Sequence, residues 1–493
     1  MEYDFRISTL DDERAYHNTA ILIYLKAVRD IMGNVNVTIG NSLNQGYFTY
    51  IEKGGAPLTS TDIHKIWNRM EHIVSRDYPI VKEFDTVEHA AEKWRTLGYK
   101  EKAGLLEERD PSEKVEILNL DGYRNCLYSR VLPSTGYITL FELRPYRQGL
   151  LLRLPNVLSP DSLPYYRDDD KLYDAYAESK RMRRETGINY LADMNRVIRS
   201  GEIESVIKAS EELHQNEIDE FADMIVSRGK RIVLIAGPSS SGKTTTAKRL
   251  CKALAERTAE PLYLGTDDYY INRDLTPLGP DGKPDFESFD AIDMMLFNKQ
   301  MTDLLAGREA DIPEYNFVEG KKIFGNRITS IEPDQIIVIE GIHSLNDALT
   351  PSIDPADKFK IFISPLTQMG MDRHNRLSTA DTRLLRRMVR DNQFRGYSAE
   401  KTLLTWYKVR AGESVNVFPY SSSADVVFNS STVYETNLLR TYAEPILQEI
   451  HPGSEAYPEA QRILNFIKYF DKIETPELVP DYSILREFIG FDK

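Results

Sequence analysis

The second half of this sequence predicts an α/β fold built on a mostly parallel, doubly wound sheet, and three observations carry that prediction. Short, continuous apolar runs recur after Gly229, segments of helical character separate them, and the first run leads straight into a glycine-rich turn. Apolar runs without polar alternation are expected of strands covered on both faces, and strands alternating with helices argue for parallel crossover units. The first half reads as a separate α+β unit. Composition and rhythm divide the chain into 1–155 (α+β), 156–228 (a helical connector), 229–450 (the doubly wound unit) and 451–493 (an amphipathic helical tail).

In chain order, residues 20–28 predict a buried helix, and Thr38-Ile39 and residues 47–51 predict strands. Between Asp62 and Ser75, Ile63, Ile66, Trp67, Met70 and Ile73 recur at helical spacing on one face. Pro155, Pro160 and Pro164 punctuate a loop-rich exit. From Asp170 to Arg228 the pattern is helical and highly charged, with a stripe of Ile203, Val206, Ile207, Leu213, Ile218, Phe221 and Ile225 that suits packing. The basic cluster Lys180-Arg181-Met182-Arg183-Arg184 in the same stretch fits a solvated helix face. The apolar runs of the second half follow at 231–236, 262–264, 336–339, 358–363 and 426–428.

The chain has 493 residues and a formal net charge of −14. An acidic surface repels polyanions at long range, which disfavours nucleic acid as a partner, while a local basic cluster can still hold a small anion. Two cysteines, Cys126 and Cys251, cannot build a disulfide framework or a cysteine zinc site, in keeping with a reducing compartment. The first residues lack the basic and apolar regions of a signal peptide. Nowhere do about 18 apolar residues run together, so no membrane span is expected. The expectation is a cytoplasmic protein without membrane contact, and a homo-oligomer is compatible with it.

Gly237-Pro238-Ser239-Ser240-Ser241-Gly242-Lys243-Thr244 matches the phosphate-binding pattern G-x-x-x-x-G-K-[ST], with a strand before it and a helix opening at Thr245 after it. Such a loop turns backbone N–H groups toward phosphate oxygens at the positive end of a helix. Lys243 is placed to reach the β- and γ-phosphates of ATP and Thr244 to ligate Mg²⁺. The next strand ends in Thr266-Asp267-Asp268-Tyr269-Tyr270. A carboxylate there lies beside the γ-phosphate, where it can take a proton from an attacking hydroxyl. The Asn-Lys-x-Asp pattern of guanine-binding switches is absent.

These motifs, with the stretch from Asp285 to Asp293, Pro313-Glu314-Tyr315, Glu340-Gly341-Ile342 and the stretch from Asp381 to Asp391, resemble the uridine–cytidine kinase family, which groups with the phosphoribulokinases. The resemblance implies a P-loop kinase domain in which Asp267 is general base for a ribose 5′-hydroxyl and a neighbour of Mg²⁺. It likewise implies that Glu287 takes the place of a ribose-binding carboxylate, that Tyr270 and Tyr315 line the nucleoside pocket, and that Glu340 helps hold Mg²⁺. Arg387, Arg390 and Arg395 match the arginines of a lid that closes over the phosphates. Read on their own, Arg383, Arg386, Arg387 and Arg390 put four guanidiniums on one helix face, an arrangement that invites an anion between them. Two positions depart from the family: its base-reading histidine falls on Gly320, and its last lid arginine on Tyr397. Gly320 is therefore expected to leave open volume beside the base.

In the first half, residues 17–25, Gly46-Tyr47-Phe48-Thr49-Tyr50 and Pro133-Ser134-Thr135-Gly136 resemble the second N-terminal domain of threonyl-tRNA synthetases, an editing module. Its H-x-x-x-H and C-x-x-x-H ligands fall here on His17 and Ile21, and on Leu127 and Val131, which leaves too few ligands for zinc. His17 reads as a core or capping histidine. The expected activity is that of an ATP- and Mg²⁺-dependent kinase making a nucleoside 5′-monophosphate, with uridine or cytidine the leading acceptor. Two alternatives stay open: a kinase for a purine nucleoside or phosphorylated sugar, and an RNA-binding regulatory ATPase.

Overall fold

The computed structural model describes residues 5–107, 109–279, 282–366 and 369–491, with the side chains of 178–185 excepted. The basic cluster at 180–184 therefore lies outside the described side chains. The chain divides into two compact units: residues 1–200, 367–378 and 461–471 form the first, and 201–366, 379–460 and 472–493 the second. Of the helices that lie in sequence between Arg153 and Ile232, Asp170–Thr186 and Leu191–Ser200 fall with the first unit and Ile203–Ser227 with the second.

The first unit is organised around the helix Leu10–Met32, which starts at a capping box between Thr9 and Asp12 and is buried almost without interruption from Thr19 to Val28. An antiparallel sheet in the order Asn36–Leu43, Gly46–Glu52, Gly149–Arg153, Glu142–Tyr146 and a second antiparallel sheet of Ile80–Thr86, Lys114–Leu120 and Tyr123–Asn125 complete the unit. The helix Ser60–Arg76 buries Ile66, Met70 and Ile73, whereas Trp67 stays 37% exposed. The segment 369–378 is anchored in the same unit. Lys102 and Asp372, both fully buried, pair at 3.1 Å, and Asp372 also accepts hydrogen bonds from the backbone N–H groups of His374 and Asn375.

The second unit holds a five-stranded, all-parallel sheet in the order Val426–Asn429, Lys358–Ser364, Ile232–Ala236, Ile337–Glu340, Leu262–Gly265. Every residue of Ile232–Ala236 is buried, as its unbroken apolar run predicts for a strand covered on both faces. Every residue of Lys358–Ser364 is buried too, with Lys358 Nζ donating to Thr350 O at 2.9 Å and Lys360 Nζ to Asp347 Oδ1 at 2.7 Å. Chain order reverses at the central strand Ile232–Ala236, and in open α/β sheets such a switch point is where ligands bind. The helix Lys243–Ala255 leaves from its carboxyl end. The helices Thr379–Phe394 and Ala399–Asn416 follow the fourth strand, and the C-terminal helix Arg486–Ile489 packs against the first of them. Among the described residues no helix is long and apolar enough to cross a membrane.

Candidate active site

The glycine-rich loop wraps the amino end of the helix Lys243–Ala255, where unpaired N–H groups and the helix dipole favour phosphate. Gly242 has φ +85° and carries the side chain of Ile484 against the face where a Cβ would stand, so both conformation and space require glycine there. Lys243 Nζ donates to the carbonyls of Gly237 at 3.0 Å and Pro238 at 3.2 Å, and so folds back along the loop. Thr244 Oγ1 donates to Glu340 Oε1 at 2.9 Å, and the Tyr263 hydroxyl donates to the same oxygen at 3.1 Å. Thr245 Oγ1 donates to Glu487 Oε2 at 2.9 Å.

Asp267 opens into the cleft yet is ringed by protein, and this desolvation holds its carboxylate above the usual range, although Lys243 and a hydrogen bond from Tyr270 pull the other way. Glu340 is raised chiefly by desolvation, with the charge of Asp267 adding to it against Lys243. Asp268, its neighbour in sequence, faces a different task. It pairs with Arg327 at 2.8 Å and accepts from the backbone N–H of Tyr315 at 3.4 Å, tying down the hairpin Glu314–Asn316 with Lys321–Ile323. The two acids of the motif are thus separated: Asp267 faces the phosphate loop, and Asp268 is spent on structure.

On the acceptor side Tyr270, Phe286, Tyr315 and Phe317 form an edge-to-face cluster with ring centroids 5.0 to 6.5 Å apart. The Tyr315 hydroxyl is buried there without a hydrogen-bond partner among the described residues. Glu287 stands beside this cluster, and burial together with the charge of Glu413 pushes its carboxyl up to about 7, against the pull of Arg387 and Lys243. Phe286 and Phe317 were not singled out by sequence. Phe286 sits inside the 285–293 motif, and only its convergence with the hairpin gives it a role.

One expectation needs correction. The space beside Gly320 is not open: Gly320 has φ +71°, and a Cβ on it would lie 2.7 Å from Arg273 Cβ and 3.0 Å from its Nε. The guanidinium donates to the carbonyls of Phe317 and Val318 in the same turn. A residue far away in sequence has filled the volume that the missing side chain vacates.

The four guanidiniums of the helix Thr379–Phe394 do not share one role either. Arg383 and Arg386 are buried and already paired, with Glu413 and with Glu435. They hold the phosphate loop from behind, Arg383 Nε donating to Ser239 O at 2.9 Å and Arg386 Nη1 to Ser240 O at 3.4 Å. Glu413 closes this bracket by accepting from the Ser239 backbone N–H at 2.7 Å. Nothing in the sequence flagged Glu413, which reaches the loop only through the fold. Arg387 donates to Ser239 Oγ at 2.8 Å, and Arg387, Arg390 and Arg395 converge on the buried Asp391 at 3.3, 2.8 and 3.6 Å. Arg387 also acts electrostatically on Glu287, and Arg395 on Asp267. Tyr397 is exposed and packs under Lys401.

Thr244, Asp267 and Glu340 fit a Mg²⁺ ion that arrives with phosphates. Among the described residues no cluster of three His, Cys, Asp or Glu side chains could hold a metal by itself, while a hydroxyl and two carboxylates, of which Asp267 raises the proton affinity of Glu340, suit an ion completed by nucleotide oxygens. In the first unit, His17 is consumed by structure. Its Nε2 donates to Pro155 O at 2.7 Å and its Nδ1 accepts from the Tyr47 hydroxyl at 2.9 Å. Ile21 and Leu127 lie in the apolar core, with Val131 packed against it.

Residues 232–437 match the model of the Phosphoribulokinase / Uridine kinase family. A uridine kinase of Ligilactobacillus salivarius (strain UCC118) is 28% identical over 198 residues, which are 40% of this chain and 83% of that protein. Over the N-terminal region, a threonine–tRNA ligase of Burkholderia lata is 30% identical across 127 residues, 26% of this chain and 20% of the ligase. The chain thus spans about a fifth of the length of the threonine–tRNA ligases it matches. The solved structure of a possible uridine kinase from Bacillus stearothermophilus is 18% identical, with 43% of this chain and 97% of that chain covered and a TM-score of 0.30.

Proposed function

We propose that this chain, a kinase-family domain fused to a synthetase-like unit, transfers the γ-phosphoryl group of ATP to the 5′-hydroxyl of a nucleoside, with uridine or cytidine the leading acceptor. The observation that carries the reading is the placement of Asp267 between Lys243 and the aromatic cluster around Tyr315. Lys243 meets the β- and γ-phosphates once ATP displaces its loop carbonyls, and Asp267, its proton affinity raised by desolvation, accepts the proton of the attacking hydroxyl. Mg²⁺, held by Thr244, Asp267 and Glu340, would neutralise phosphate charge during transfer. Arg387, Arg390 and Arg395 trade Asp391 for migrating phosphoryl charge as the lid closes, which suits guanidinium geometry. Glu287 accepts hydrogen bonds from ribose hydroxyls, and the rings of Tyr270, Phe286, Tyr315 and Phe317 hold a flat base. Rate comes mainly from alignment and charge stabilisation in a site that excludes water.

The test is ADP release from ATP and Mg²⁺ across a panel of nucleosides and phosphorylated sugars, with Lys243→Ala as control. The expected result is turnover with a pyrimidine nucleoside and a loss of about 10²-fold or more in the variant. Normal kcat in Lys243→Ala would remove the kinase reading. One observation favours a second acceptor class. Arg273 brings a cation to the Tyr315 turn, and an acceptor already bearing a phosphate would meet it. Turnover confined to phosphorylated sugars would select that class.

A further inference from the structure

The donor reading above puts the β- and γ-phosphates at Lys243 and Mg²⁺ at Thr244, which leaves the α-phosphate and its ribose to pass the next residue, Thr245. There Thr245 Oγ1 donates to Glu487 Oε2 at 2.9 Å. Glu487 lies beyond residue 437, where the family match ends. It is not a stray tail contact, because the segment that bears it is built against the loop. Ile484, 1% exposed, packs on Gly242, and the Ser483 hydroxyl donates to Glu211 at 2.6 Å. Phe488, fully buried, lies 5.1 Å from the guanidinium of Arg386, the residue that grips Ser240 O. Every residue from Ser483 to Gly490 is buried except Glu487, which is half-buried, and its Oε1 takes no partner among the described residues.

A carboxylate can only accept hydrogen bonds, and it repels the α-phosphate. At this point of a nucleotide the groups that can donate to it are the ribose hydroxyls. We propose that Glu487 binds the ribose hydroxyls of the donor nucleotide and selects ribonucleotides over 2′-deoxyribonucleotides. The proposal rests on the ATP-kinase reading. Its chemistry is that of a charge-assisted O–H···O⁻ bond, the means by which an acidic side chain reads a ribose in dinucleotide sites.

The experiment is calorimetric titration of the full chain, without acceptor, with Mg²⁺ and either ATP or 2′-deoxy-ATP. It is made on the wild type, Glu487→Gln and Glu487→Ala, with folding of each variant checked by its melting curve. The wild type is expected to bind ATP at least tenfold tighter than 2′-deoxy-ATP. Glu487→Ala should bring the two within about threefold of each other by weakening ATP alone, and Glu487→Gln should fall between. A wild-type ratio near one, or a ratio that survives in both variants, overturns the assignment. Equal loss of both nucleotides overturns it too, because Glu487 would then only brace Thr245. Failure of the wild type to bind ATP at all sinks the kinase reading instead, and is thereby distinguishable.

Discussion

The side chain of Arg273 stands where a side chain on Gly320 would project, and the two are joined again through the backbone, Arg273 N–H donating to Gly320 O at 2.9 Å. The glycine and the arginine therefore form one unit of the acceptor wall. Restoring a histidine at 320 alone meets both a positive φ and an occupied space, and strain of that kind costs of the order of 1–3 kcal/mol. Gly320→His is expected to lower the melting temperature without sharpening base choice. The double variant Gly320→His with Arg273→Ala should melt higher than the single one. Arg273→Ala alone should relax discrimination among uridine, cytidine and purine nucleosides, read as ratios of kcat/KM. A wild type that already shows no discrimination would deny Arg273 this part.

Asp267→Asn keeps the shape of the side chain but cannot accept the hydroxyl proton. Turnover is expected to fall by about 10²-fold or more, while ATP affinity changes little. Asp268→Asn should instead act on stability, since Asp268 pairs with Arg327 rather than facing the phosphate loop. A larger kcat loss in Asp268→Asn than in Asp267→Asn would reverse the two roles.

Glu287 carries a pH dependence of definite sign. Its carboxyl is raised in the fold to about 7 from an ordinary value near 4.5, so between those values the folded chain holds a proton that the unfolded chain has released. Its contribution to stability is complete at pH below about 4.5 and is lost as pH rises through about 7. Glu287→Gln should flatten the change in melting temperature between pH 5 and pH 8. The ionised form is the better acceptor for ribose hydroxyls. The KM for the nucleoside should therefore rise as pH drops below about 7 in the wild type, and stay level in the variant.

The pair Lys102–Asp372 is fully buried, and removing one partner strands a charge in the interior. Lys102→Met is expected to cost about 3–5 kcal/mol, seen as a lower urea midpoint, and Lys102→Met with Asp372→Asn should recover part of it. Equal midpoints for single and double variants would show that the two charges are not coupled.

Zinc analysis tests the first unit. With Ile21 and Leu127 in the apolar core and His17 bonded to Pro155 and Tyr47, purified protein should carry no stoichiometric zinc. One tightly bound zinc per chain would show that the likeness to the editing module is misaligned here.

The sequence by itself determined the local features whose cause is local. The five parallel strands follow from unbroken apolar runs such as 232–236, and the phosphate loop from glycines and a lysine at fixed spacing ahead of a helix. Helical periodicity marked Ile66, Met70 and Ile73 as a buried face, because a 3.6-residue repeat needs no distant partner to be read. What only the tertiary structure decided depends on residues far apart in the chain. Four arginines at helical spacing look alike in sequence, yet Arg383 and Arg386 are claimed by Glu413 and Glu435 while Arg387 reaches Ser239. Gly320 reads as a gap until Arg273 is seen to fill it, and Glu487 has no motif until Thr245 meets it. A buried charge must find its counter-charge wherever the fold supplies one. Spacing along the chain does not encode which one that is.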